Sequence, residues 1–144
     1  RNIPSMLDYQ LHIEKESMFN TPPVFPIYVS MLNLEWLKEN GGISWIEKIN
    51  NKKAEKLYSE IDKNILFEGL ANNEDRSTMN VTFKLIDENC KIRFDELCYQ
   101  KGINGLKGHR SIGGYRASLY NALAEESVDV LISIMQKLEN EKND

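Results

Sequence analysis

The 144-residue sequence is poor in the residues that form disulfides and transition-metal sites. It contains two cysteines, Cys90 and Cys98, and two histidines, His12 and His109. The surroundings of the cysteines predict one helix, in which their Cα atoms would lie about 12 Å apart, too far for a disulfide. Two histidines do not complete a zinc site at the usual ligand spacing. We therefore expect reduced thiols, a cytoplasmic location and no bound metal.

The chain also lacks an excess of basic residues and a long apolar run. The chain has 18 lysines and arginines and 22 acidic residues, which give a formal net charge of -4. This net charge argues against general nucleic-acid binding. The most apolar window, residues 24–37, is interrupted by Pro26, Asn33 and Glu35, and no run approaches the roughly 20 residues needed to span a bilayer. Nucleic acid and membrane are therefore not expected as partners. Because the sequence begins at Arg1 without clear periodicity, we expect a piece of a longer polypeptide.

The apolar periodicity predicts an α+β domain, in which helices cover a small and mainly antiparallel sheet in a two-layer sandwich. Helices are predicted at residues 25–39, 44–62, 87–100 and 125–139, and strands at 66–68, 78–85, 103–107 and 115–120. The first helix is apolar on most sides, which predicts burial between two layers. Lys53 is expected on the solvent side of the second helix, and residues 140–144 are expected to fray.

One segment concentrates groups that bind anions. His109, Arg110 and Arg116 surround the glycine pair at 113–114. The planar guanidinium matches carboxylate and phosphate oxygens, and glycine allows a ligand to approach the backbone closely. These residues predict a site for a small molecule with two anionic ends. The alternatives are solvated surface arginines, a structural hydrogen bond for His109, and an ion pair between Arg116 and Glu125.

Several separated segments resemble one enzyme family. They are Met18 to Pro23, Trp36 to Gly42, Arg76 to Phe83 and Gly105 to Ala122. All four are similar to the C-terminal domain of the phosphoserine aminotransferases, which are class-V aminotransferases dependent on pyridoxal phosphate, and the resemblance runs from about Ile3 to Leu138. It implies the small domain of the aspartate-aminotransferase-type fold, formed by residues 25–144. Residues 1–24 would be the segment that leads out of a large cofactor domain.

The resemblance also implies a transamination. Family members transfer an amino group between O-phospho-L-serine and 2-oxoglutarate. In the biosynthetic direction the reaction starts from 3-phosphohydroxypyruvate and L-glutamate. They serve L-serine and, in bacteria, pyridoxine biosynthesis as homodimers with shared active sites. The family's Schiff-base lysine lies before the matching segment, so no catalytic residue is expected here. The chain alone is expected to be inactive and not to retain pyridoxal 5'-phosphate. A non-catalytic domain for phospho-amino-acid binding or for dimerisation is the alternative.

Individual roles follow from the resemblance. Arg116 resembles the arginine that binds the substrate α-carboxylate, and His109 and Arg110 resemble the pair near the substrate phosphate. Arg110 would serve its own or the neighbouring subunit's site. Asn20 and Thr21 resemble the pair that reaches the cofactor phosphate across the dimer, the alternative being a cap on the following helix.

Two positions of the central-strand segment leave their roles open. Arg76 would either face the substrate site or lie on the surface. Thr78 stands where the family often carries a further arginine, so an anionic contact at that point is in doubt.

Overall fold

The computed structural model describes residues 3–143, with side chains to residue 142. Residues 1, 2 and 144, which belong to the predicted lead-in and tail, lie outside the described part. The chain divides into two compact units, the first ending at Gly42 and the second beginning at Ile43.

The first unit contains a 3-10 turn and two helices. The turn spans Ser5–Leu7, helix α1 spans Tyr9–Glu14, and helix α2 spans Val24–Glu39. Asp8 begins α1 by accepting a hydrogen bond from the Gln10 amide at 3.1 Å, as N-cap aspartates commonly do. Helix α2 follows the proline pair at 22–23 and ends before two glycines, as the sequence predicts.

The predicted burial of helix α2 is wrong. None of its residues is buried, and Leu34 is 66% exposed. A helix that is apolar around its whole circumference needs packing partners on several sides. Its own unit offers only one further turn and one short helix, and these are too small to supply such layers.

The second unit is built on a three-stranded antiparallel sheet. Helix α3 spans Gly42–Lys63, strand β1 Phe67–Gly69, strand β2 Asn80–Leu85, helix α4 Lys91–Gln100, strand β3 Tyr115–Ser118 and helix α5 Glu125–Asn143. The sheet order is β1-β2-β3, with Phe83 of the central strand opposite Gly69 on one side and Tyr115 on the other. This architecture confirms the predicted α+β class.

Residues of all three strands and of helices α3, α4 and α5 form one apolar core. Its centre is a set of aromatic rings with centroids 4.9 to 6.4 Å apart, formed by Phe67, Phe83, Phe94 and Tyr115. The alternation predicted for β2 is confirmed, because its buried side chains recur at every second residue, Val81, Phe83 and Leu85. In α5 the core includes Ile134, whereas Ile132, predicted to be buried, is only partly so.

Lys53 corrects the prediction for the second helix. Its side chain is fully buried, and its Nζ donates to the carbonyl oxygens of Leu119 at 3.3 Å, Tyr120 at 2.9 Å and Leu123 at 3.1 Å. Lys53 lies one helical turn before buried Leu57, so its side chain leaves the helix on the apolar face. The turn after β3 presents carbonyl oxygens there, and these accept the ammonium protons.

The predicted strand at residues 103–107 is also wrong. This segment contributes one isolated bridge, between Lys107 and Tyr115. Gly102 and Gly105 adopt left-handed backbone conformations with φ of 75° and 72°, which interrupt an extended chain. The Ile103 amide instead bonds the Cys98 carbonyl at 2.9 Å at the end of α4.

Helix α5 extends beyond its predicted end at residue 139. Arg93 binds Glu141 through two hydrogen bonds of 2.8 Å, and Lys142 contacts Asp87 at 2.5 Å. These ion pairs hold the last turn of α5, so the predicted fraying does not apply to the described residues 140–143.

Both cysteines are free thiols, and burial raises the pKa of Cys98 to about 12. Within residues 3–143, no helix has the length and apolar character needed to cross a bilayer.

Candidate anion-binding site

The segment that contains the predicted anion-binding residues folds back on itself as a narrow hairpin. At its base, the Arg116 amide donates to the Leu106 carbonyl at 2.7 Å, and the Gly108 amide donates to the Gly114 carbonyl at 2.9 Å. These two bonds place residues 109–113 at the tip, directly before strand β3. We call residues 108–114 the anion loop.

Glycine is required where the anion loop closes. Gly114 has a φ of 62°, and a Cβ there would lie 2.6 Å from the Phe83 carbonyl oxygen of β2. A Cβ on Gly108 would overlap the Gly113 carbonyl oxygen. Only a chain without side chains at these positions lets the loop approach the sheet and its own backbone so closely.

The anion loop and strand β3 bring the three predicted substrate-binding residues together. An open depression of about 480 Å³ is lined by Lys107, Gly108, His109, Arg110 and Arg116. Among the side chains described, no acidic one lines it. Three permanent cations beside one imidazole give the depression a positive potential, which favours an anionic ligand.

The two arginines of the depression are free to bind a ligand. Among the side chains that the structure describes, neither Arg110 nor Arg116 has an ion pair or a hydrogen-bonding partner. The alternative pair of Arg116 with Glu125 is wrong, because Glu125 accepts from Lys52 at 2.9 Å and Lys56 at 2.7 Å. Lys107 is a lining residue that the sequence pattern does not single out. The signal for it is the pairing of residue 107 with residue 115, which becomes visible once β3 is in place.

Strand β3 gives Arg116 a rigid support. Its neighbour Tyr115 is 3% exposed, stacks on Phe83 with centroids 5.5 Å apart, and donates to Asp95 of α4 at 2.9 Å. Burial and the contact with Asp95 raise the pKa of the Tyr115 hydroxyl well above its ordinary value. Because side chains alternate along a strand, Arg116 projects from the face opposite to this anchor, where it is exposed.

Arg76 is not part of this depression. Its guanidinium binds both oxygens of Asp62 at 2.7 and 2.6 Å and lies 4.5 Å above the Tyr58 ring. The hydrogen bonds with Arg76 lower the pKa of the Asp62 carboxyl. Arg76 therefore stabilises the second unit near the end of α3.

The chain is similar to known proteins of one family. The family model described as aminotransferase class-V matches residues 3–131. The chain belongs to the class-V aminotransferase family. It is 65% identical to the phosphoserine aminotransferase of Flavobacterium psychrophilum and 59% identical to that of Flavobacterium johnsoniae, each over 140 residues, which are 97% of this chain and 39% of each relative. The chain thus spans about two fifths of the length of these relatives.

Solved structures show the same likeness. A phosphoserine aminotransferase from Bacillus circulans subsp. alkalophilus superposes with a TM-score of 0.88 at 39% identity, over 97% of this chain and 39% of that one. A pyridoxal-phosphate-bound phosphoserine aminotransferase from Trichomonas vaginalis gives a TM-score of 0.81 at 37% identity, over 93% and 39% of the two chains. The predicted family and fold class are confirmed.

Asn20 and Thr21 lie in the first unit of this class-V aminotransferase chain, immediately before its proline pair. The N-cap of α2 is Pro23, and no side chain caps that helix, so the capping alternative is wrong. Both side chains are exposed, and the Asn20 amide nitrogen lies 3.6 Å from the Met6 sulfur. An amide and a hydroxyl that face solvent fit the donors that a cofactor phosphate needs.

Proposed function

We propose that the chain is the C-terminal part of a phosphoserine aminotransferase. The enzyme would be a cytoplasmic homodimer that uses pyridoxal 5'-phosphate in L-serine biosynthesis and, in bacteria, in pyridoxine biosynthesis. The observation that carries the proposal is a depression lined by unpaired arginines in a chain of the class-V aminotransferase family. Residues 1–24 would lead from the large cofactor domain, and residues 25–144 would form the small domain.

The substrate O-phospho-L-serine has a carboxylate and a phosphate, and the depression offers separate donors for each. Arg116 would bind the α-carboxylate, because a guanidinium fork on a rigid strand suits a planar two-oxygen group. His109 and Arg110 would bind the phosphate from the anion loop, and Lys107 adds a further positive charge. Within residues 3–142, no carboxylate lines the depression to compete for these donors.

Asn20 and Thr21 would hold the cofactor phosphate. When bound, pyridoxal 5'-phosphate supplies the electron sink that transamination requires. The residues of this chain would bind and orient the anionic groups of substrate and cofactor. No lysine of the chain lies in a segment that resembles the family's cofactor-binding lysine motif, so the chain alone is expected to be inactive and not to retain the cofactor.

The proposal is tested in the longer protein that contains this chain. Arg116→Ala should lower kcat/KM for phosphoserine, because it removes a charged hydrogen-bonding fork. The fall should correspond to a loss of about 2–5 kcal/mol of transition-state binding. Arg93→Ala is the matched control, since Arg93 binds Glu141 outside the depression and its loss should leave kcat/KM unchanged. Unchanged kinetics for Arg116→Ala would contradict the assigned role.

The 144-residue chain provides a second measurement. With added pyridoxal phosphate, phosphoserine and 2-oxoglutarate, it should show no transamination. Transamination by this chain alone would contradict the proposal that the catalytic lysine lies outside it. If the longer protein also lacks transaminase activity but the chain binds phosphoserine in calorimetry, the non-catalytic binding domain is the correct reading. The absence of both activities would favour a dimerisation domain.

A further inference from the structure

The imidazole ring of His109 is held through one of its two nitrogens. Nδ1 lies 2.8 Å from the Ser111 hydroxyl oxygen and 3.3 Å from the Ser111 amide nitrogen, which donates to it. Within the described side chains, Nε2 has no hydrogen-bonding partner. The ring is therefore anchored on its Nδ1 edge and open on its Nε2 edge.

The contact with the amide determines where the imidazole proton lies. A backbone N–H can only donate, so the Nδ1 that it contacts accepts and carries no proton in the neutral ring. The proton of the neutral ring then lies on Nε2. If the ring becomes charged, Nδ1–H donates to the Ser111 hydroxyl oxygen instead, and Nε2 keeps its proton. Nε2 is a donor in both states.

The backbone of His109 is anchored in the same loop. Its carbonyl oxygen accepts from the amides of Ile112 at 3.1 Å and Gly113 at 2.8 Å. The ring and the backbone are thus both held by residues no more than four positions away. The orientation of the imidazole is a local property of the anion loop, and it is present before any ligand binds.

The open edge of the ring is the edge available to a ligand. His109 lines the depression together with Arg110 and Arg116, whereas Ser111 does not. We propose that Ser111 is a positioning residue, which holds His109 so that Nε2–H donates to the anionic group of the substrate in both charge states of the ring. The identity of that group as the substrate phosphate rests on the proposed function.

The orientation of the ring is tested by NMR on the 144-residue chain. With 15N-labelled histidine, the shifts of the two ring nitrogens distinguish a protonated from an unprotonated nitrogen, and His12→Gln assigns the signals. At a pH where the shifts show neutral rings, His109 should be almost entirely the Nε2–H form, with a larger Nε2–H fraction than the urea-unfolded chain. Ser111→Ala should lower this fraction, Ser111→Thr should restore it, and Ser133→Ala, which makes the same change on α5, should leave it as in the wild type.

Binding is tested with inorganic phosphate by following amide shifts of the anion loop. Ser111→Ala should weaken phosphate binding about 2- to 10-fold, the usual range for one lost hydrogen bond, and Ser111→Thr should recover it. If His109 is mainly the Nδ1–H form, or if Ser111→Ala changes neither the Nε2–H fraction nor the affinity, the positioning role is refuted. If the Nε2–H form is found but phosphate shifts no residue of the loop in any variant, the ring anchor is supported and the assignment of the loop as the phosphate-binding element is refuted, while the proposed function is judged by the kinetics of Arg116→Ala.

Discussion

Replacement of Lys53 by methionine should destabilise the second unit strongly. Methionine keeps the length and apolar stem of the side chain but cannot donate a hydrogen bond. Among the residues described, the carbonyl oxygens of Leu119 and Leu123 have no other donor, while that of Tyr120 also accepts from the Leu123 amide at 2.9 Å. Lys53→Met therefore leaves the buried carbonyl of Leu119 and the half-buried carbonyl of Leu123 without partners.

The expected loss follows from these two acceptors. A buried carbonyl without a partner costs about 1–3 kcal/mol, and the half-buried carbonyl of Leu123, which water can reach, adds less than this. Methionine also removes an ammonium whose burial is unfavourable, which offsets part of this cost. We expect the free energy of unfolding to fall by about 1–3 kcal/mol, a substantial part of the 5–15 kcal/mol typical of a domain.

Urea denaturation followed by circular dichroism measures this change, and the neighbouring residue provides the control. Lys52 is 63% exposed and binds Glu125 at 2.9 Å, so Lys52→Met should cost less than about 1 kcal/mol. Equal stability of the two variants would refute the reasoning.

The pH dependence gives an independent check of the same buried group. Burial lowers the pKa of Lys53 below its ordinary value of 10.5. Between the lowered folded-state pKa and 10.5 the unfolded chain binds more protons, so the contribution of Lys53 to stability rises with pH. The stability difference between the wild type and Lys53→Met should therefore widen as pH rises through this window. A constant difference would mean that Lys53 is not buried as described.

Two further predictions concern the anion loop and the buried carboxylate of α3. Gly108→Ala should weaken phosphoserine binding at least about 10-fold in calorimetry. Its Cβ would overlap the Gly113 carbonyl oxygen, and the loop would have to shift the side chains that bind the ligand. Gly102→Ala is the control, because it adds backbone strain at a φ of 75° outside the loop while its Cβ would meet no atom within 4 Å. Equal binding by both variants would refute the steric argument. Glu60 is 1% exposed and accepts from Lys63, whose side chain is 63% exposed, at 2.7 Å. Glu60→Gln leaves no buried charge but loses carboxylate hydrogen bonds, so it should lower the free energy of unfolding by about 1–3 kcal/mol in urea at neutral pH. Burial raises the pKa of Glu60, but the hydrogen bonds that its carboxylate accepts, above all from Lys63, lower it. The net shift of the pKa is downward from 4.5. The wild type should therefore lose this stability as pH falls below 4.5 through the folded-state pKa, whereas Glu60→Gln should show no such loss. The same fall in unfolding free energy with pH in both proteins would contradict the prediction.

The elements with a strong local signal could be predicted from the sequence. The alternation in β2 and the proline and glycine boundaries of α2 each reflect backbone chemistry within a few residues. The anion-binding residues could also be predicted, because they lie close together in the chain. They are the glycines at 108, 113 and 114 and the donors His109, Arg110 and Arg116. Their convergence on one depression follows from the loop closure.

Features that depend on distant partners could not be predicted in this way. Lys53 has the appearance of a solvent-facing lysine, and its burial depends on carbonyl oxygens more than sixty residues further along the chain. The predicted strand at 103–107 has suitable apolar residues, but the backbone angles of Gly102 and Gly105 decide its path. The composition of α2 predicts contacts on most sides, and the described residues of its own unit do not provide them.

The two ends of the anion-binding depression differ in how they are built. Arg116 lies on a strand that Tyr115 ties to Asp95, whereas the hydrogen bonds of residues 109–113 remain, within the described chain, inside the loop. One end of a bound metabolite would thus meet a fixed anchor, and the other a tip that can change its reach without disturbing the sheet. Substitutions at the tip would therefore change the length of anion that the depression accepts while the anchor stays in place.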